Sequence, residues 1–266
     1  MKKLYIVLSN LVLMFALSFH ANGSIELNAE DQRPTKVLLV LTSHGELGRT
    51  GLQTGFWLEE FAAPYYSLID AGVEVILASP KGGQPPLDPK SEQEMFQTDF
   101  TRRFMKDQEA QARLAETLKL STVNQKDFDA VFYSGGYGPI WDLAEDQYSI
   151  ALIEDFYQND KPIASVCHAP AIFKNTRDSN GDPLVKGKMM TAYSNSEEEA
   201  VQFTSLVPFS VQEMLIENGA FYSKGPNWYP YIQEDGLLIS GQNPASAELV
   251  AGALLKRLGT KVDLDK

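Results

Sequence analysis

A recurring unit constrains this chain most. A short, unbroken apolar run is followed by a turn and then by a segment with helical spacing. Residues 36–42 (KVLLVLT), 73–78 (VEVILA), 129–134 (DAVFYS) and 162–166 (PIASV) are such runs. Runs this short, with little polar alternation, are expected as strands buried on both faces, as in a parallel sheet covered by helices. Helices are expected over 56–71, 100–118, 150–157, 197–203, 208–218 and 245–258. Further strands are expected over 189–193, 220–223 and 237–240. Residues 80–89, rich in proline and glycine, read as a loop, and Asn180-Gly181 as a hairpin turn. The alternation of strands and helices predicts an α/β sandwich around a mainly parallel sheet. Ligands of such sheets bind beyond the carboxyl ends of the strands. Two segments stand there: Gly135-Gly136-Tyr137-Gly138 after one strand and Cys167-His168 after another.

The amino terminus reads differently. Lys2 and Lys3 precede an uncharged, mostly apolar run over 4–17, and Ala21 and Gly23 are small residues at the −3 and −1 positions of a cut before Ser24. That is the layout of a secretory signal peptide over 1–23, and the apolar run is short for a membrane span. A polar leader over 24–35 and a single domain over 36–260 follow, since no repeat or linker divides the rest. The expected location is exported, either periplasmic or secreted, with no membrane attachment after cleavage. The formal charge of −12 argues against nucleic acid as a partner. The 44% hydrophobic and 22% charged content excludes a disordered chain.

Cys167 is the chain's one cysteine, so it cannot pair within the chain, and an odd thiol in an exported protein is a candidate reactive group. It sits between an apolar strand and residues 169–174, which read as a short helix. A nucleophile on such a turn is expected to project into solvent, and the helix N-terminus and His168 are expected to lower its pKa below the free value of about 8.5. A buried structural thiol is the competing reading. A Cys–His pair needs an acid to hold the ring. Glu197, Glu198 and Glu199 follow the next strand, and spacing does not choose among them. Gly135 and Gly136 do not complete a dinucleotide-binding glycine pattern. A backbone oxyanion hole suits them better. Glu59 and Glu60 read by themselves as a solvated pair, and His44 as a solvated loop residue. Residues 178–182 (DSNGD) lack the glycine and glutamate positions of a calcium loop and read as a turn. With one Cys and three His, a structural zinc site is not expected.

Taken in order, several motifs resemble the DJ-1/PfpI superfamily, and within it the Hsp31-like branch of class I glutamine-amidotransferase-like proteins. They are Thr54 to Glu60 (TGFWLEE) with Ala63-Pro64, Ala78 to Gly83 (ASPKGG), and Gly135 to Gly138 (GGYG). Val166 to Pro170 (VCHAP), Thr191 to Glu199 and Gly241 to Ser246 (GQNPAS) complete the set. The resemblance implies a flavodoxin-like three-layer sandwich with Cys167 as nucleophile on an elbow and His168 as its partner. It implies that Glu198 completes a triad and that Glu60 reaches the cysteine from the first helix. The N–H groups of Gly136 and His168 fall at the oxyanion positions. Glu60 is then expected to oppose ionisation of the thiol and to share a proton with it. Tyr137 and Ala169 depart from the usual Gly-Gly-His-Gly and Cys-His-Gly-Pro, which changes the pocket and leaves the backbone donors intact.

The activity this implies is a glutathione-independent glyoxalase that converts methylglyoxal, a small reactive dicarbonyl, to D-lactate. It is a lyase-type reaction with no metal or organic cofactor, and a homodimer is compatible with it. A stress-inducible holdase chaperone and a Cys-dependent peptidase or amidase are the alternatives. Glu60 separates the last of these, because hydrolysis by a triad does not need it.

Overall fold

The computed structural model describes residues 33–260. The expected signal peptide and all but the last residues of the leader lie outside them. The chain runs β1 (Lys36–Val40), α1 (Leu58–Asp70), β2 (Glu74–Ser79), α2 (Asp99–Phe104), α3 (Gln108–Ala115) and β3 (Leu118–Lys119). It continues through β4 (Ala130–Tyr133), α4 (Gln147–Gln158), β5 (Ile163–Val166), β6 (Met189–Met190), α5 (Asn195–Ala200) and α6 (Val211–Glu217). β7 (Phe221–Tyr222), β8 (Ile232–Asp235), β9 (Leu238–Gly241) and α7 (Ala247–Arg257) close it. The central sheet has the order β3-β2-β1-β4-β5-β9-β8. β8 pairs antiparallel with β9, and the other pairings in this sheet are parallel.

The apolar runs are continuous because the sheet is covered on both faces. In β1, Val37 and Leu39 enter one core while Leu38 and Val40 enter the other. The first core takes Phe61 and Tyr65 of α1 and Val250 and Leu254 of α7, and the second takes Leu152, Ile153 and Phe156 of α4. This is the expected three-layer α/β sandwich. β1 lies between β2, which follows it in the chain, and β4, which the chain reaches only after β3 at the far edge, so the strand order reverses direction at β1. The resulting crevice lies at the strands' carboxyl ends.

Some local expectations fail for physical reasons. The single helix expected over 100–118 is two. After α2 the chain turns at Met105 and Lys106, and Asp107 starts α3 by accepting from the Ala110 N–H at 3.0 Å. A side chain that caps a new helix competes with continuing the old one. The strand expected over 189–193 stops at Met190, because it pairs with the two-residue β7 in a separate parallel sheet. Asn180-Gly181 turns the chain, but its flanks form only an isolated antiparallel bridge between Arg177 and Pro183. β8, with the sequence Ile-Gln-Glu-Asp, was not anticipated; it is a half-exposed edge strand without an apolar run.

Candidate active site

The site forms where β4, β5 and the start of α1 meet. β5 ends at Val166, and Cys167 follows in the left-handed region with φ of 62°. A non-glycine residue there stores about 1–3 kcal/mol of strain and persists only where its surroundings enforce it. Two backbone bonds do so: the Cys167 N–H donates to the Gly241 carbonyl at 2.9 Å, and the Cys167 carbonyl accepts from the Tyr193 N–H at 2.8 Å. The expected elbow is present, and a 3₁₀ helix over Ala169–Phe173 follows it. The thiol does not project into solvent, however. Cys167 is only 4% exposed and lies at the floor of a cavity.

His168 turns back toward the sulfur, with its Nδ1 at 3.3 Å from Cys167 Sγ. Its Nε2 lies 2.8 Å from Glu198 Oε2. This completes a Cys–His–Glu line. The run of three glutamates resolves by the geometry of α5. Ser194 caps that helix and accepts from the Glu197 N–H. Glu198 then faces His168, whereas Glu199 is exposed. Glu197 is fully buried and accepts from Ser194, Gln242, Asn243 and the Trp228 N–H, so it ties three loops together.

Glu60 comes from the first turn of α1. It is fully buried and neither carboxyl oxygen has a hydrogen bond of regular geometry. The Cys167 thiol and the Gly136 N–H are the polar groups that face it. Burial pushes the Glu60 carboxyl well above the usual carboxylate range, and those two groups offset the shift only in part. Burial also pushes the Cys167 thiol up, and the Glu60 charge beside it adds to this. The direction is opposite to that expected from the helix end and His168. Desolvation and a like charge outweigh them, and the two acids hold their protons against each other as a coupled pair. Glu198 behaves differently. Burial raises its pKa, but the His168 charge and the hydrogen bonds from His168 and Tyr137 prevail and hold it below the ordinary value.

The two glycines after β4 are needed at close quarters. A Cβ on Gly135 would lie 2.1 Å from Glu60 Oε2, 2.5 Å from the Val166 carbonyl and 2.8 Å from Cys167 Cβ. Gly136 has φ of 94°, and a Cβ there would lie 2.3 Å from the Gly55 carbonyl. Only glycine brings this backbone against the sulfur, so the Gly136 N–H can serve an oxyanion beside it.

Several contributors carried no sequence signal of their own. The Tyr137 hydroxyl donates to Glu198 Oε1 at 2.8 Å, on the oxygen opposite His168. The rings of Tyr137 and Tyr193 both pack on the His168 imidazole, each with its centroid 4.3 Å from it. Glu59, taken from sequence as half of a solvated pair, lines the cavity. It accepts from the Thr98 hydroxyl, and burial raises it to about 7 against that bond. The cavity holds about 790 Å³, and Trp57, Phe96, Phe203 and Trp228 complete its walls. His44 stacks on Trp141 at 5.0 Å and takes no part in the site. Among the described residues no group of three His, Cys, Asp or Glu side chains is disposed to hold a metal ion.

The chain is similar to several known proteins. The chain is 33% identical to a glutathione-independent glyoxalase of Saccharomyces cerevisiae, over 82% of its own length and 95% of the relative's. It is 30% identical to glyoxalase 3 of Candida albicans, covering 80% of this chain and 93% of that one. The crystal structure of the Candida albicans glyoxalase III superposes with a TM-score of 0.77 at 28% identity, covering 84% of this chain and 96% of that one. The 24 kDa rapid encystment protein of Francisella tularensis superposes with a TM-score of 0.80 at 36% identity, covering 84% and 99%. The family description DJ-1/PfpI matches residues 52–257, which include Glu60, the glycine turn, the elbow cysteine and Glu198; the chain belongs to the DJ-1/PfpI family.

Proposed function

We propose that this protein is a glutathione-independent glyoxalase that adds water to methylglyoxal and releases D-lactate without a cofactor. The observation that carries the reading is Glu60. A carboxyl buried beside a nucleophilic sulfur, without a regular hydrogen bond and with its proton affinity raised by burial, is placed to take a proton from a bound substrate and return it. A hydrolytic triad would leave that costly group without a task.

The chemistry balances on these residues alone. The Cys167 sulfur adds to the aldehyde carbon, and the thiol proton passes to the carbonyl oxygen, giving a hemithioacetal. Glu60 as carboxylate removes the proton from that carbon and gives an enediol. It returns that proton to the neighbouring carbon, which was the ketone, while the hydroxyl proton of the hemithioacetal passes to that carbon's oxygen. The former aldehyde carbon is now oxidised to a thioester and the former ketone carbon reduced to an alcohol, so no outside oxidant is needed. The Gly136 N–H supports the negative oxygen. Water, activated by His168 held on Glu198, cleaves the C–S bond; the acid leaves and the thiol is restored. The relatives named as glutathione-independent glyoxalases support this reading. The test is incubation of purified protein with methylglyoxal in the absence of glutathione. Stoichiometric D-lactate is expected. Methylglyoxal left unconsumed, alongside turnover of peptide or amide substrates, would replace the reading with a hydrolytic one.

A further inference from the structure

The proposed reaction moves two protons, and Glu60 carries only one of them. The hemithioacetal hydroxyl must also lose its proton, and the oxygen of the former ketone must gain one. Directly between two oxygens on adjacent carbons that proton would follow a bent, poorly aligned path. A protein hydroxyl that reaches both oxygens gives a straighter one. It has to lie beside the sulfur, keep its own proton and have no other partner.

Tyr193 meets these conditions. It follows β6 and lines the cavity together with Cys167 and Glu60. Its N–H donates to the Cys167 carbonyl at 2.8 Å, which fixes its backbone against the elbow. Its ring is held between neighbours, with centroids 4.3 Å from His168 and 5.9 Å from Trp228. Of the ionisable groups around its hydroxyl, the Cys167 thiol bears on it most strongly, ahead of Glu198, Glu197 and Glu60. Burial pushes the phenol well above its ordinary range, so it stays protonated. Nearby tyrosines have their hydroxyls engaged: that of Tyr137 donates to Glu198, and that of Tyr222 to the Ala192 carbonyl. The Tyr193 hydroxyl has no hydrogen bond among the described residues, although the residue is only 7% exposed. A buried hydroxyl left without a partner at a reactive sulfur calls for one that arrives with the substrate.

We propose that Tyr193 is a further catalytic residue, whose hydroxyl bridges the two substrate oxygens and carries the proton from one to the other. The inference rests on the glyoxalase reading. As Glu60 takes the proton from the sulfur-bearing carbon, the phenol gives its proton to the ketone oxygen and takes the one on the hemithioacetal oxygen. No phenolate forms, which its burial would oppose. One negative charge remains on the oxygen next to the sulfur, where the Gly136 N–H supports it. Glu60 then returns its proton to the neighbouring carbon, and that charge closes the thioester carbonyl. The phenol ends as it began, and nothing outside the substrate is oxidised or reduced.

Tyr193→Phe tests this, because it keeps the ring on His168 and Trp228 and the backbone bond to the elbow. Three quantities are compared with wild type: kcat and KM for methylglyoxal, the deuterium isotope effect on kcat with the aldehyde hydrogen labelled, and the rate of Cys167 alkylation by iodoacetamide. A fall in kcat of about 10²–10³-fold is expected. KM should change by less than about threefold, since the contact strengthens in the transition state. The isotope effect should be at least as large as in wild type, because the slowed step is the one that breaks the C–H bond. Alkylation should be unchanged, since sulfur and imidazole keep their places. A kcat close to wild type, a smaller isotope effect, or an alkylation rate that falls along with kcat overturns the inference and leaves the glyoxalase reading standing. Wild-type protein that leaves methylglyoxal unconsumed removes both.

Discussion

Tyr137→Phe removes one hydroxyl and little else. The ring keeps its place on His168, and Tyr137 is only 8% exposed, so water does not readily replace the lost donor. Glu198 Oε1 then loses its 2.8 Å hydrogen bond. A hydrogen bond to a charged group contributes about 1.5–3 kcal/mol. At about 1.4 kcal/mol per tenfold in rate, complete transmission to the transition state would cost roughly 10- to 100-fold. Glu198 acts on the sulfur only through His168, so the lower end is expected, a fall of about tenfold in kcat/KM. The sign of the pH effect also follows. Burial raises the Glu198 pKa, and the His168 charge and the hydrogen bonds from His168 and Tyr137 pull it below the ordinary value. With the Tyr137 bond gone the pKa rises, and the acid limb of the kcat/KM profile moves to higher pH. Steady-state kinetics on methylglyoxal across the acid range, with thermal melts to confirm folding, read both effects. Unchanged kcat/KM together with an unmoved acid limb would refute the role assigned to this hydroxyl.

Three further outcomes are expected. Gly135→Ala places a methyl 2.1 Å from Glu60 Oε2 and 2.5 Å from the Val166 carbonyl. Activity should therefore fall by more than about 100-fold, since misplaced reacting groups lose at least that much; near-native turnover in a folded variant would contradict the close approach. The rate of Cys167 alkylation by iodoacetamide should inflect above the free-thiol value of about 8.5. Burial and then the Glu60 charge raise it, so Glu60→Gln should move the inflection to lower pH, and coincident profiles would show that the two acids do not interact. Glu197→Ala strips a buried anchor from Ser194, Gln242, Asn243 and Trp228. A loss of about 3–5 kcal/mol is expected, or roughly 10 °C in Tm for a domain of this size; calorimetry showing a shift under 2 °C would remove the anchoring role.

The parts of the fold legible in the sequence were those whose signal is local. β1, β2, β4, β5 and β9 are short apolar runs because helices cover both faces of the sheet. β8 escaped notice because an edge strand with one half-exposed side needs no such run. The break between α2 and α3 was visible only as Asp107, a capping residue inside an otherwise helical pattern. At the site, Cys167 and His168 adjoin each other in the chain and follow a strand, so their partnership could be inferred. Glu60 and Glu198 are distant in sequence from the sulfur, and spacing alone left each among equivalent neighbours; the family resemblance singled them out. Trp57, Phe96, Tyr193 and Trp228 meet only in three dimensions, from four loops with no common period. The thiol's pKa was misjudged for a related reason. Helix end and imidazole are neighbours in the chain, whereas the burial and the Glu60 carboxylate that outweigh them come from tertiary packing.

In the proposed reaction Glu60 carries a proton between the two substrate carbons, and Glu198 only holds His168. One comparison tests this: kcat/KM for D-lactate formation from methylglyoxal by Cys167→Ser, Glu60→Gln and Glu198→Gln, each verified as folded. Cys167→Ser and Glu60→Gln should both lose more than about 10⁴-fold, and Glu198→Gln should lose about 10²–10³-fold. A Glu60→Gln enzyme near wild type, with Glu198→Gln as damaged as Cys167→Ser, would contradict the account and leave a hydrolytic triad in its place.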